Sequence, residues 1–196
     1  MSTFRNCFAF ACLLVFLSPS AFALSQSQAF ALLRDSGENM TVVGTICEQV
    51  ARLELMKDYP ENRYAITNGI AYGRNRATEG ELDVVVFEKP TMKAVLVGEV
   101  KCWSNFNSAK NKANKQRSRF LSVIGTGDDV NLWATKNGQH YSKSQFASVT
   151  NFISISSEGA DRAGFDMALE MDLQELMELR QQIMSCQANG SCRKAN

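Results

Sequence analysis

Apolar positions recur at helical spacing over residues 41–57, where Val43, Ile46, Val50 and Leu53 share one face, and they predict an amphipathic helix. Tyr59-Pro60-Glu61-Asn62 ends it. A shorter helix is expected over 27–34, before the turn signal Asp35-Ser36-Gly37. The pattern then becomes strand-like over 64–70, 82–87 and 94–102. A second long helix is expected over 108–124, stopped by Gly125-Thr126-Gly127, with strands following at 130–134 and 149–155. The closing helix is expected over 167–184, with Leu169, Leu173, Leu176 and Ile183 facing inward and Asp166, Glu170, Asp172, Glu175 and Glu178 outside. Neither an internal repeat nor a linker interrupts this order, so the chain reads as one α/β domain with mixed strand connections.

Two of the strands carry charge in an unusual place. Residues 84–87 and 94–97 are apolar at every position, which marks strands covered on both faces and therefore central. Alternate strand residues share a face, so Glu99 and Lys101 continue the face of Val95 and Val97. Charges at the end of a central strand are costly unless paired. A local Glu99–Lys101 ion pair would meet that need by itself. Asp83, fifteen intervening residues before Glu99, changes the picture. In a hairpin its carboxylate meets that of Glu99, and two converging carboxylates repel without a cation or a shared proton. Hard oxygen ligands select Mg²⁺, Mn²⁺ or Ca²⁺. A lysine beside them can orient or deprotonate a water, which makes the set a hydrolytic arrangement. Glu81, on the face of Asp83, is a lesser candidate ligand.

Composition narrows the field. The chain has 196 residues, 45% hydrophobic and 21% charged, which is ordinary for a globular protein. That excludes a disordered tail, a collagen-like repeat and a polycationic coat. His140 is the only histidine, so no site rests on paired histidines. Residues 1–23 read as a secretory signal cleaved after Ala23: Arg5, then an apolar run over 8–17 too short to span a bilayer, then Ala21-Phe22-Ala23. The expected mature chain, 24–196, is exported to the periplasm or the medium, with no membrane attachment after cleavage. It carries 20 basic and 20 acidic side chains. Cleavage removes Cys7 and Cys12 and leaves Cys47, Cys102, Cys186 and Cys192, an even number that permits disulfides. Three pairings are open; Cys186 and Cys192 bracket a flexible Gln-Ala-Asn-Gly-Ser loop, which favours that pair.

Gly80-Glu81-Leu82-Asp83 followed by Gly98-Glu99-Val100-Lys101 resembles the central signature of the PD-(D/E)XK nuclease superfamily. Leu82 stands where the family's naming proline would be. The first long helix, with Gly44-x-x-x-Glu48-x-x-Ala51-x-x-x-Leu55, is similar to the family's leading helix, and the similarity spans roughly residues 41–135. It implies a restriction-endonuclease-like core, a central mixed β-sheet flanked by helices, here with an added C-terminal amphipathic helix. It further implies Mg²⁺, replaceable by Mn²⁺, held by Asp83, Glu99, the Val100 carbonyl and, directly or through water, Glu48. Lys101 would position or activate the water, and Gln116 would contact that water or the scissile phosphate. Glu54 rivals Glu48, since it aligns with Val43, Cys47 and Val50; Glu48 is preferred because small Gly44 and Ala51 flank it on one stripe.

The substrate expectation comes from charge placement. Between Val100 and Gly127 stand six basic residues and no acidic one: Lys101, Lys110, Lys112, Lys115, Arg117 and Arg119. Such a face attracts a phosphate backbone. Trp103 and Phe106 are placed to stack a base, and Arg74 and Arg76 to form a second wall. A secreted nuclease acting on DNA is the first reading. The rival is an exported non-catalytic protein that binds nucleic acid or a protein partner, in which the same acids and lysine form a structural ion-pair cluster.

Overall fold

The computed structural model describes residues 24–74, 77–127 and 129–195. The expected signal segment 1–23 and Arg76 lie outside the described residues. Helices α1 (Gln26–Leu33) and α2 (Val43–Asp58) lead into three long strands, β1 (Tyr64–Arg74), β2 (Ala77–Glu88) and β3 (Lys93–Val100). Helix α3 (Phe106–Gly125) follows, then β4 (Asn131–Ala134), β5 (His140–Tyr141), β6 (Phe152–Ser156), β7 (Met167–Ala168) and α4 (Leu173–Ala188). The seven strands form one sheet in the order β5-β4-β1-β2-β3-β6-β7. Its β3–β6 and β6–β7 pairs are parallel and the others antiparallel. The protein is thus α/β, with a mixed sheet flanked by helices.

Burial on both faces explains the continuous apolar runs. Val84, Val85, Val86 and Phe87 are each fully buried. Val84, Val86, Leu96 and Val100 pack under α1, α2 and α4, while Val85, Phe87, Ala94 and Val97 pack with Phe120 and Val123 of α3. Face alternation is not uniform. Leu96 pairs with Val86 and Ala94 with Phe87, so Val95 is a bulged residue. Val95 accordingly packs toward the α2 side and does not share the face of Val97, contrary to simple alternation.

A second reset falls where it matters most. Asn68 pairs with Val84 and Ile70 with Leu82; between these pairs sit Gly69 and Asp83. Val84 belongs to the α2-side core, whereas Ile70 and Leu82 belong to the α3-side core. Gly69 takes φ +69°, a conformation open to glycine and strained for other residues, and a Cβ there would lie 2.8 Å from Glu81 Oε1. Asp83 therefore lies where β2 changes the face it buries.

The closing helix begins later than the periodicity predicts. Asp172 caps α4 by accepting from the Glu175 N–H, a capping box that fixes the start, and Met167–Ala168 join the sheet instead. Leu169 is still buried, but ahead of the helix.

Disulfides join Cys47 to Cys102 and Cys186 to Cys192, which fits an oxidising compartment. Among the described residues no helix is long and apolar enough to cross a membrane. The two bridges close loops of very different length, with sequence separations of 55 and 6. Loop-closure entropy gives about 4 kcal/mol for the longer and about 2 kcal/mol for the shorter. Urea unfolding of the Cys47→Ala/Cys102→Ala and Cys186→Ala/Cys192→Ala proteins is expected to show losses in that order.

Candidate functional site

Asp83, in the middle of β2, meets Glu99 and Lys101 at the C-terminal end of β3. The last β2–β3 pair at this end is Val84 with Gly98. Beyond it, the Asp83 carboxylate takes over from the backbone: Oδ2 accepts from the Val100 N–H at 2.7 Å. The same oxygen accepts from Lys101 Nζ at 2.6 Å, and that ammonium also donates to the Val100 carbonyl at 2.9 Å. Glu99 Oε2 stands 3.6 Å from it. Close packing enforces the approach, because a Cβ on Gly98 would lie 2.6 Å from Val84 Cγ1.

The three charged groups are enclosed. Asp83 is 8% exposed and Glu99 3%, and both Glu99 oxygens lack a hydrogen-bond partner. Burial, and then the Asp83 charge, push the Glu99 carboxyl well above the usual carboxylate range. Burial works against the Lys101 ammonium, but Asp83, Glu99 and Glu48 outweigh it and hold its pKa above the ordinary value. Lys101 therefore stays a cation at neutral pH. Asp83 Oδ2, Glu99 Oε2 and the Val100 carbonyl are hard oxygens around one cation position, which Lys101 Nζ holds. Such a donor set suits Mg²⁺ or Mn²⁺, and the unsatisfied Glu99 oxygens have unused capacity to coordinate.

Helix α2 brings Glu48 to the same end of the sheet. Asn68 Nδ2 donates to the Glu48 carbonyl at 3.0 Å and to the Asp83 carbonyl at 3.1 Å, tying α2 to β2. The Cys47–Cys102 bridge fixes the helix to the residue after Lys101. Glu48, Glu81 and Asp83 line one groove of about 590 Å³ between α2 and strands β1, β2 and β4. Burial first, then the Asp83 and Glu81 charges, raise the Glu48 carboxyl to about 8. Glu81 is also raised, by burial and Asp83, and accepts from Thr135 Oγ1 at 3.3 Å. Among the described residues, the only three-acid cluster with ligand atoms all within 4.8 Å is the exposed Glu158, Asp172 and Glu175. Glu48, Asp83 and Glu99 do not close that far. Glu54 points elsewhere, accepting from the Glu170 N–H at 2.9 Å.

The basic helix is less free than its sequence suggests. Lys110 donates to Ser154 Oγ at 2.5 Å, pairs with Asp166 at 3.4 Å and sits over the Phe165 ring. Arg117 lies over the Phe152 ring, and Arg119 donates to the Glu79 carbonyl at 3.0 Å. Lys112 and Lys115 are exposed and make no ion pair or hydrogen bond among the described residues. Trp103 is exposed, but Phe106 packs edge-on against Phe165. Arg74 forms a two-pronged pair with Glu79, which removes it as a second wall. Gln116 Oε1 is buried without a partner, and the side chain makes no hydrogen bond to Asp83, Glu99 or Lys101.

Sequence reasoning singled out Glu48 but missed Asn68 and the other groove-facing residues of α2. Thr45, Glu48, Gln49 and Arg52 all line the groove at spacings of three and four, a polar stripe legible at helical period. Asn68 carried no such signal, because its direction depends on the turn at Gly69.

No protein-family model, curated protein or solved structure matches the chain, so the reading of this site rests on its own residues.

The raised carboxyls set a pH dependence. A carboxyl whose folded pKa lies above its unfolded value keeps a proton in the folded state that the unfolded chain releases, so stability falls as pH rises between the two. For Glu48 that window runs from 4.5 to about 8, and for Glu54 to about 7. Each group contributes a slope of up to about 1.4 kcal/mol per pH unit. Without divalent cations, the melting temperature is expected to drop from pH 5.5 to 8. Glu48→Gln should lessen that drop, with Glu54 and Glu99 still contributing, and match or exceed the wild type at pH 8; an unchanged slope would contradict the assignment.

Proposed function

We propose that this chain is an exported Mg²⁺-dependent nuclease with a restriction-endonuclease-like core of the PD-(D/E)XK type, hydrolysing phosphodiester bonds in DNA. The observation that carries the reading is the convergence of Asp83 Oδ2, Glu99 Oε2 and the Val100 carbonyl on one enclosed cation position. Lys101 follows directly after β3, in the order the resemblance implies. The disulfides suit an exported protein, periplasmic or secreted.

In this reading Asp83, Glu99 and the Val100 carbonyl would hold Mg²⁺, or Mn²⁺ in its place. When bound, the ion supplies Lewis acidity to the phosphoryl oxygen and makes a water more acidic. Asp83 keeps the strand end in register through the Val100 N–H. Lys101 would be the residue that donates to a phosphate oxygen and offsets its developing charge. Glu48 accepts from a water at the edge of the site and orients it.

The rival, a non-catalytic binding protein, treats the three charges as a structural cluster. Lys101→Met separates the two. Removing one member of a buried pair costs about 3 kcal/mol or more, because the carboxylates lose their compensation. In a metal site, millimolar Mg²⁺ restores most of that loss; in a structural cluster it restores none. Assayed on plasmid DNA with Mg²⁺, the oxidised wild type is expected to cut. Asp83→Asn and Lys101→Met should each lose at least about 100-fold in rate, and chelator should abolish cutting. A folded wild type that cuts neither plasmid nor linear DNA with Mg²⁺ or Mn²⁺ would overturn the reading.

A further inference from the structure

The α2 stripe carries two polar groups without a partner. Gln49 is 5% exposed and makes no hydrogen bond among the described residues, yet it lines the groove. Its amide atoms are not sealed from solvent, so the unpartnered amide opens into the groove, where it can hydrogen-bond a ligand. One turn further on, Arg52 is half-buried and lines the same groove, with no ion pair or hydrogen bond among the described residues. A guanidinium offers five donors in a planar fork, and phosphate is the ligand that fork fits. Lys136, on the opposite wall, is already committed to Glu38 at 2.6 Å.

Resting on the nuclease reading above, we propose that this groove, rather than the exposed face of α3, carries the substrate as a single DNA strand. Gln49 and Arg52 are the substrate-binding residues beside the cation position. The groove's 590 Å³ lies in the range of sites for drug-sized ligands, which is room for a short stretch of one strand and not for a duplex. Asp83 connects the groove to the cation position, since it lines the one and accepts from the Lys101 ammonium that holds the other. On α3, by contrast, Lys110, Arg117 and Arg119 are held by the protein itself. The acids in the groove repel phosphate, so strand binding requires a divalent cation to neutralise them, and Arg52 supplies the one uncommitted positive charge on that wall.

The test measures binding of labelled single-stranded and duplex oligonucleotides of one sequence by the full oxidised protein, with Ca²⁺ and with chelator. Ca²⁺ is used as a hard cation of different size and geometry from Mg²⁺, and intact oligonucleotide is verified after each titration. Single strands are expected to bind at least tenfold tighter than duplex, and only with Ca²⁺. Arg52→Ala and Gln49→Met should each weaken single-strand binding about tenfold, while Lys112→Ala/Lys115→Ala changes it less than twofold. Gln49→Met keeps the buried volume, and the partly exposed Arg52 provides an independent variant should packing at Gln49 fail. Cleavage with Mg²⁺ is followed in parallel. A wild type that cuts DNA, combined with unchanged single-strand binding in both α2 variants or with a duplex preference lost in the α3 variant, overturns this inference alone. A wild type that neither binds nor cuts overturns the nuclease reading together with it.

Discussion

An ammonium shared between two enclosed carboxylates fixes the end of the central strands, and the surrounding structure follows from the need to keep those charges together. Asp83, Glu99 and Lys101 lie where water is largely excluded, so removing one leaves the others uncompensated. Asp83 has a second task, since its carboxylate accepts from the Val100 N–H where the β2–β3 ladder stops. Backbone geometry and charge balance at this point thus depend on one side chain. Asn68 adds a third tie, holding α2 and β2 at the level of Glu48 and Asp83.

The parts legible in the sequence are those governed by local period. Unbroken apolar runs at 84–87 and 94–97 identified the central strands, and the charges beyond them identified Asp83, Glu99 and Lys101 as a group. What escaped depends on interruptions of the period. Gly69 turns the backbone so that Asn68 and Ile70 serve opposite faces, and the bulge at Val95 shifts alternation within β3. The start of α4 was set by the Asp172 cap and not by the apolar spacing that extends ahead of it. The basic helix misled for another reason. Lys110 and Arg119 are engaged by Ser154, Asp166 and Glu79, partners 40 or more positions away, and no local pattern reveals them.

Oxidation and site geometry are linked through neighbours in the chain. Cys47 precedes Glu48, and Cys102 follows Lys101, so one bond holds the two helix and strand segments that carry those groups. Glu48 stands on a helix whose other face is core: Ile46, Val50 and Leu53 are buried, while Thr45, Glu48, Gln49 and Arg52 look into the groove. The apolar face anchors the helix, and the polar face is thereby free to carry groups whose only available neighbours are one another and whatever enters the groove.

That groove is an electrostatic problem the protein leaves open. Glu48, Glu81 and Asp83 share it, and burial makes each additional negative charge harder to hold. Below about pH 8 a proton on Glu48 relieves part of the repulsion. Lys101 balances Asp83, while Glu99, held well above the usual carboxylate range, keeps its proton near neutral pH. With 20 basic and 20 acidic side chains over residues 24–196, no net field compensates from a distance. On the proposed reading, a divalent cation would take up the Asp83 and Glu99 oxygens and leave Lys101 to face an anion, and the same exchange would make the groove receptive to phosphate.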